Sequence, residues 1–442
     1  MKKVSKRAVA MVGVLNVVGM LLAERSTAAV PADPTFTKDI APIFQEKCEV
    51  CHRPDSIAPM PLRTYQEARP WARSIRARVE SRQMPPWHID KTVGIQEFKN
   101  DRSLSDDQLA TILAWIDRGA PQGDIRDMPP AKIWPVEQGW NYAAMFGQKE
   151  PDLIIRSTPW THRAGANDTW WKPVVATGIT EPRWVRAIEV RPGTIKGRTI
   201  THHANVDIDQ VEEDSGGVRA VPGRFMEWAV GKEGELMRPN TGKLMLPGSR
   251  IAFDIHYSDG GETVTDYIEL GVYFYPKGQE PKYRQSLLRM GDTGVSAIDI
   301  PPNTIKATES YVTLRQAARI ESFQPHMHLR GKAMSMEAIL PGGERFVLSH
   351  VAEFSFNWHN AYIYADDAAP LLPKGTVIKV TAWHDNTAAN KANPDPNVWV
   401  GYGDRTVDEM GHAWVNVTYL SDEDYRQEIA TRQARLRSSQ QQ

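Results

Sequence analysis

The 442-residue chain contains only two cysteines, Cys48 and Cys51, so none remains for structural disulfides if both carry chemistry. An excess of one charge sign is also absent. Lys and Arg number 53 against 54 Asp and Glu, so nothing indicates a nucleic-acid partner. Long apolar runs are missing after residue 29. No membrane span is therefore expected beyond a possible N-terminal segment.

The N-terminal stretch 1–29 has the pattern of an export signal. Lys2, Lys3, Lys6 and Arg7 give it a positive start, an apolar run follows, and 26–29 supplies small residues for cleavage. The apolar run is shorter than the roughly 20 residues of a typical membrane span, although an uncleaved anchor stays open as an alternative. This stretch predicts a signal peptide and a periplasmic or secreted protein.

Cys48–Glu–Val–Cys51–His52 is the attachment motif of a c-type haem. The two thiols bond the vinyl groups and His52 binds the iron. A redox dithiol is the alternative, but it needs a thioredoxin-like βαβ context, and none surrounds the motif. The sequence predicts one covalent haem c.

Helical apolar periodicity around the motif predicts a small all-α cytochrome c domain over 30–125. One of its helices is expected to begin at Ser105, because Gln108 completes a capping box. Met84 is the preferred sixth iron ligand, since a proline-stiffened loop can aim its thioether at the iron. Met60 and, more remotely, His88 stay open.

The region 126–150 has no helical or strand periodicity and is predicted to be a linker. From 151 onward short alternating runs are separated by turn residues, and Gly260–Gly261 marks a hairpin. This spacing predicts two antiparallel β-sandwich domains, at 151–290 and 291–425, because the region is too long for one. From Ser421 a short helix is expected, followed by a disordered, Gln-rich tail over 426–442.

Two groups of residues in the β region can ligate metal. His202 and His203 are adjacent, so they share a face only if their strand bulges or twists, and His256 is a third candidate. His326 and His328 are two apart and face the same way in a strand. With the thioether of Met410 they form a donor set that suits copper.

The order His-His, His, His-x-His and Asp-Glu-Met over about 150–420 resembles the type II copper monooxygenases, the family of peptidylglycine α-hydroxylating monooxygenase and dopamine β-monooxygenase. The resemblance implies two jelly-roll sandwiches with two coppers facing each other across a solvent-filled cleft. It further implies that His202, His203 and His256 bind the electron-transfer copper. His326, His328 and Met410 would bind the copper at which dioxygen reacts.

Three positions depart from the peptide-amidating members of that family. Gln324 stands where they have the arginine that grips the substrate carboxylate, and His412 and Trp414 replace an asparagine and a tyrosine. A peptidylglycine substrate is therefore not expected. Of the leftover histidines, His359 is expected at the surface, while His384 is open between a surface role and support of a copper ligand.

Together these features predict a haem-fused dicopper monooxygenase. It would hydroxylate a C–H bond of a small organic substrate with dioxygen, taking electrons from a small reductant or a redox protein and relaying them through the haem. One alternative is a non-catalytic haem/copper redox or copper-binding protein. Another is a pair of adhesion or carbohydrate-binding modules with incidental histidines.

Overall fold

The computed structural model describes residues 30–54, 56, 58–134, 139–214, 217–220, 223–229, 232, 234–291 and 298–439. The predicted signal peptide, 1–29, lies outside this range. Among the described residues, no helix is both long enough and apolar enough to cross a membrane.

The helices lie mostly before residue 130. They are α1 (Ala41–Lys47), α2 (Tyr65–Ala68), α3 (Ala72–Glu80), α4 (Asp106–Asp117), α5 (Gly197–Ile200) and α6 (Asp422–Ser439). A π-helical turn spans Phe36–Ile40, and 3-10 turns span Arg69–Trp71, Ile125–Asp127 and Ala144–Phe146. The capping box expected at Ser105 is confirmed, since Ser105 and Gln108 bond each other's backbone N–H groups at the start of α4.

The strands occupy most of the remaining chain. They are β1 (Leu153–Arg156), β2 (Trp160–His162), β3 (Thr169–Trp171), β4 (Val174–Ala176), β5 (Arg183–Pro192), β6 (Thr201–Asp209), β7 (Val211–Asp214), β8 (Gly217–Ala220), β9 (Gly223–Ala229), β10 (Gly234–Leu236), β11 (Thr241–Met245), β12 (Arg250–Tyr257), β13 (Val264–Asp266), β14 (Ile268–Phe274), β15 (Tyr283–Gly291), β16 (Asp299–Ile300), β17 (Ile305–Thr313), β18 (Ala317–Ile320), β19 (Ser322–Met327), β20 (Gly331–Ile339), β21 (Arg345–Val351), β22 (Tyr362–Ile363), β23 (Leu371–Leu372), β24 (Val377–Asp385), β25 (Val400–Gly401) and β26 (Gly411–Leu420).

One large sheet runs through both halves of the β region, in the order β1-β14-β5-β11-β15-β26-β18-β23, with β10 on β5 and β19 on β26. In the first half it packs on the sheet β3-β12-β6-β9, where Val190 of β5 and Phe253 of β12 share a buried core. In the second half it packs on β17-β24-β20-β21, where Val415 of β26 and Met336 of β20 share another. His203 of the first half and His326 of the second contact each other where these two halves meet.

The predicted fold class is wrong. Strands hold 37% of the residues and helices 17%, and the described N-terminal residues form only short helices, without a sizeable all-α cytochrome c domain. The reason is visible after Met84. Trp87 and Ile89 pack into the core of the second β half rather than among helices, and Ile89 forms a bridge with Val351.

The two β-sandwich domains expected from the strand pattern are not separate units either. Strand β15 falls almost wholly in the first predicted domain, yet it pairs with β26 of the second through Gln285↔Thr418 to Gly291↔His412, and it also pairs in parallel with β11. One sheet therefore crosses the predicted boundary. Helix α6 also runs through most of the tail 426–442, which the sequence predicts to be disordered. The boundaries at 125, 150, 290 and 425 stay predictions.

Candidate metal centre

A β-bulge brings the adjacent histidines of β6 together. His203 pairs with His256 across β6 and β12, but the next pair is Thr201 with Tyr257, so His202 is the extra residue of a bulge. The bulge turns both rings toward His256. One ligand atom from each of the three side chains lies within 4.8 Å of the others, which is close enough for a single metal ion.

The first histidine set is held by aromatic and acidic neighbours. The ring of Trp170 stacks on that of His256, with 4.5 Å between centroids. Asp168 places a carboxylate oxygen 3.2 Å from Nε2 of His256. Nδ1 atoms of His202 and His203 are buried without a hydrogen-bond partner, as expected of nitrogens reserved for a metal.

The second set lies where β19 meets β26. His326 sits opposite His412, and their rings stack 4.7 Å apart. The ring of His328, just beyond the end of β19, is 5.6 Å from that of His326. Met410 is half-buried in the loop directly before β26. Nδ1 of His328 donates to the carbonyl of Asp408 at 3.1 Å, so this loop lies beside the histidine pair.

A buried carboxyl group fixes the turn that carries His328. The backbone N–H groups of His328 and Arg330 donate to Glu409 at 2.9 and 2.6 Å. Burial raises the pKa of Glu409 to about 8. His384, whose role the sequence leaves open, is fully buried and its Nε2 donates to the carbonyl of Met410 at 3.0 Å. His384 therefore supports the Met410 loop.

The two sets are in contact. The rings of His203 and His326 are 6.0 Å apart, whereas the resemblance implies a solvent-filled cleft between the sets. Burial depresses the imidazole pKa throughout, to about 4 for His202 and well below the usual value for His203 and His326. The rings are thus neutral at pH 7, which is the form that binds a metal ion.

His359 was expected at the surface, and the structure contradicts this. It is 2% exposed, and its ring lies 4.8 Å from His326 and 5.7 Å from His202. Glu227, on β9, is fully buried, and one of its carboxyl oxygens lies within 4.8 Å of a ring nitrogen of His326 and of His359. Sequence reasoning missed both residues. The only local signal for His359 is its aromatic loop, with Phe354, Phe356 and Trp358, a composition typical of a buried segment.

Gln324 does not face an open cleft. It is 2% exposed, and its amide donates to Glu227 and to the carbonyl of His359. Its side-chain oxygen accepts from Lys232 at 3.1 Å. Gln324, which replaces the family's arginine, therefore holds Glu227 and the backbone of His359 beside the histidine cluster.

The haem motif lines a cavity of its own. Cys48, Cys51 and His52 share its wall with both candidate thioethers, Met60 and Met84, while the described residues lining it do not include His88. Apolar residues complete the lining, among them Phe44, Leu62, Ile75 and Val79. Burial raises the pKa of the Cys48 thiol to about 12, which argues against a redox dithiol, since those need a stabilised thiolate. The lining fits a covalently attached haem.

A hydrogen bond orients the proposed iron ligand. Nδ1 of His52 donates to the carbonyl of Met60 at 3.0 Å, leaving Nε2 to face the cavity. The Met60 backbone thus lies behind the histidine ring. Because His52 engages the Met60 backbone, Met84 is the thioether in the cavity wall that would complete the ligands of a bound haem iron.

Comparisons with known proteins add no identity. No family model and no curated protein matches the chain. Structural similarity is found to the major capsid protein P2 from bacteriophage PM2, with a TM-score of 0.28 and 11% identity over 60% of this chain and 97% of that one. A putative α-L-fucosidase from Bacteroides ovatus has a TM-score of 0.17 and 10% identity, and the match covers 59% of this chain and 39% of that one. An allantoicase has a TM-score of 0.18 and 11% identity, and the match covers 58% of this chain and 80% of that one. Likenesses this weak carry no argument about fold or function.

Proposed function

We propose that this chain is an exported copper monooxygenase that receives its electrons through a covalently bound haem c. The observation that carries the proposal is that both predicted histidine sets are buried and meet through His203 and His326, and that several of their ring nitrogens have no hydrogen-bond partner. Neutral imidazole is a ligand that copper favours.

Each set has a defined part in the proposal. His202, His203 and His256 would hold an electron-transfer copper, and His326, His328 and Met410 the copper at which dioxygen reacts. Copper, when bound, supplies one-electron redox chemistry and activation of dioxygen. The overall reaction inserts one oxygen atom of dioxygen into a C–H bond of a small organic substrate and reduces the other to water, consuming two electrons and two protons.

The chain's own residues fix the geometry for that chemistry. Glu409 holds the turn of His328 through two backbone hydrogen bonds, and His384 holds the carbonyl of Met410. Such supporting contacts keep ligands oriented before a metal binds. The burial of the cluster also excludes water, which limits side reactions of activated oxygen.

A short stretch of chain connects the haem cavity with the histidine cluster. Trp358 lines the cavity, and the next residue, His359, contacts the rings of His202 and His326. Asn360 donates to the carbonyl of Pro86 at 2.8 Å, which ties this loop to the segment that follows Met84. This adjacency supports electron delivery from the haem, supplied in turn by a small reductant or a redox protein.

The test uses the full chain loaded with copper. Its haem is reduced without oxygen and then mixed with oxygenated buffer and a panel of hydroxylatable small molecules. The proposal predicts haem reoxidation together with a hydroxylated product, and loss of the product in Met410→Ala with the haem spectrum unchanged. Product formation that survives Met410→Ala would contradict the assignment of Met410.

One observation favours a second candidate function. His326 and His328 are 6% and 5% exposed, so a substrate needs an opening motion to reach them. A non-catalytic haem/copper redox protein needs no such access. Copper binding with reversible haem redox, and no product from any substrate in the panel, would favour this second candidate.

A further inference from the structure

Three buried residues near the centre of the cluster have side-chain polar atoms without a hydrogen-bond partner. Glu227, His326 and His359 are 0%, 6% and 2% exposed. Oε1 of Glu227, Nδ1 of His326 and both ring nitrogens of His359 have no hydrogen-bond partner. One ligand atom from each residue lies within 4.8 Å of the other two. Buried polar atoms are rarely left in this state, so the arrangement points to a missing partner.

Lys232 and Arg224 are close enough to act on the charge of Glu227, but neither donates a hydrogen bond to its Oε1. The ammonium of Lys232 is bonded to Glu235 at 2.8 Å and to Gln324 at 3.1 Å, and that of Lys243 is bonded to Glu235 at 2.7 Å. The amide of Gln324 donates to Oε2 of Glu227, while Oε1 has no hydrogen-bond partner. Neutral imidazoles offset a buried carboxylate poorly, whereas a bound cation offsets it directly.

We propose that Glu227, His326 and His359 together hold a divalent first-row metal ion in a two-histidine, one-carboxylate site. Imidazole nitrogen with carboxylate oxygen suits iron(II), zinc and copper(II), and it does not require a thioether. The site rests on the proposed function in one respect, because His326 is a metal ligand in both proposals. It adds two ligand residues that the resemblance does not supply.

Zinc binding distinguishes this site experimentally from the set that contains Met410. Zinc ligands in proteins are thiolate, imidazole and carboxylate, so zinc does not depend on a thioether. The full chain with its haem attached is stripped of other metals with a chelator and dialysed against Zn²⁺. Zinc is then counted against haem iron by elemental analysis.

The expected result is two zinc ions per chain, one on His202, His203 and His256 and one on the new site. His359→Gln and Glu227→Gln should each lose one ion, while Met410→Ala keeps both. His350→Gln is the matched control, because His350 is a half-buried histidine that contacts Trp383 away from the cluster. The haem absorbance and the far-ultraviolet circular dichroism of every variant establish that it is folded.

A count of two zinc ions per chain in both His359→Gln and Glu227→Gln would overturn the proposed site. A count of one zinc ion per natural chain, lost only in His256→Gln, would overturn it as well. Because the two variants change different elements of the fold, misfolding of one leaves the other as the test. Failure of the proposed function is separate. It would appear as absent hydroxylation in copper-loaded protein, whatever the zinc count.

Discussion

His203 and His326 belong to different predicted metal sites, yet their rings are only 6.0 Å apart. Ions held by touching rings should interact magnetically. In protein loaded with Cu²⁺ at both sets, we expect an electron paramagnetic resonance spectrum broadened by dipolar coupling rather than two sharp, independent signals. In His326→Ala, the remaining copper should give an isolated, sharp signal. Two sharp, independent signals in the natural chain would contradict the close approach.

Met84 and Met60 line the same cavity, but the bond from His52 to the Met60 carbonyl places the Met60 backbone behind the proximal ring. Replacing Met84 by Ala should therefore lower the haem reduction potential and leave an open iron position, because a thioether ligand raises the potential. Met60→Ala is the matched control and should change the potential little. Redox titration followed by absorbance measures both. A larger fall in Met60→Ala would reverse the assignment.

Glu409 is the anchor of the second set. Glu409→Ala leaves the buried N–H groups of His328 and Arg330 unbonded, and each such loss costs about 1–3 kcal/mol. We expect a free energy of unfolding lower by about 2–4 kcal/mol in urea, and copper affinity at the second set reduced about 10–100-fold. Glu409→Gln keeps one acceptor oxygen and should lose less. Equal losses in both variants would argue against this role.

Asp266 makes the fold sensitive to pH. Burial raises its pKa to about 6, while the N–H of Thr194 donates to its Oδ1 at 2.9 Å. The folded chain therefore holds this proton more tightly than the unfolded chain, so stability falls as pH rises from about 4 to 6. Asp266→Asn keeps the acceptor and removes the charge.

At pH 7.5 the free energy of unfolding of Asp266→Asn should exceed that of the natural chain by on the order of 1–3 kcal/mol. The gain should vanish near pH 4. Urea unfolding of both proteins at the two pH values measures the difference. A gain of the same size at pH 4 would show that the charge of Asp266 is not its cause.

Structural features that depend on a short stretch of sequence could be predicted. The capping box of α4 is confirmed, and the condition stated for His202 and His203, a bulged strand, is met because Thr201 rather than His202 pairs with Tyr257. The Cys48–His52 motif also identified a cavity with two methionines in its wall. In each case the geometry depends on neighbours along the chain.

Features that depend on distant partners were not predictable. The pairing of β15 with β26 joins the two halves, and strand alternation carries no information on which strands pair. Trp87 and Ile89 follow a helix, yet they are buried by β strands far along the chain. His359 lies in a loop without periodicity, and its ring packs against His202 and His326, which are distant in the sequence.

The central proposal, that both histidine sets hold copper beside a covalent haem, is tested most directly by elemental analysis of the purified, copper-reconstituted full chain after exhaustive dialysis. One iron and two coppers per chain are expected, with one copper lost in His256→Ala and one in His326→Ala. Iron without copper, or a copper content that neither substitution changes, would contradict it.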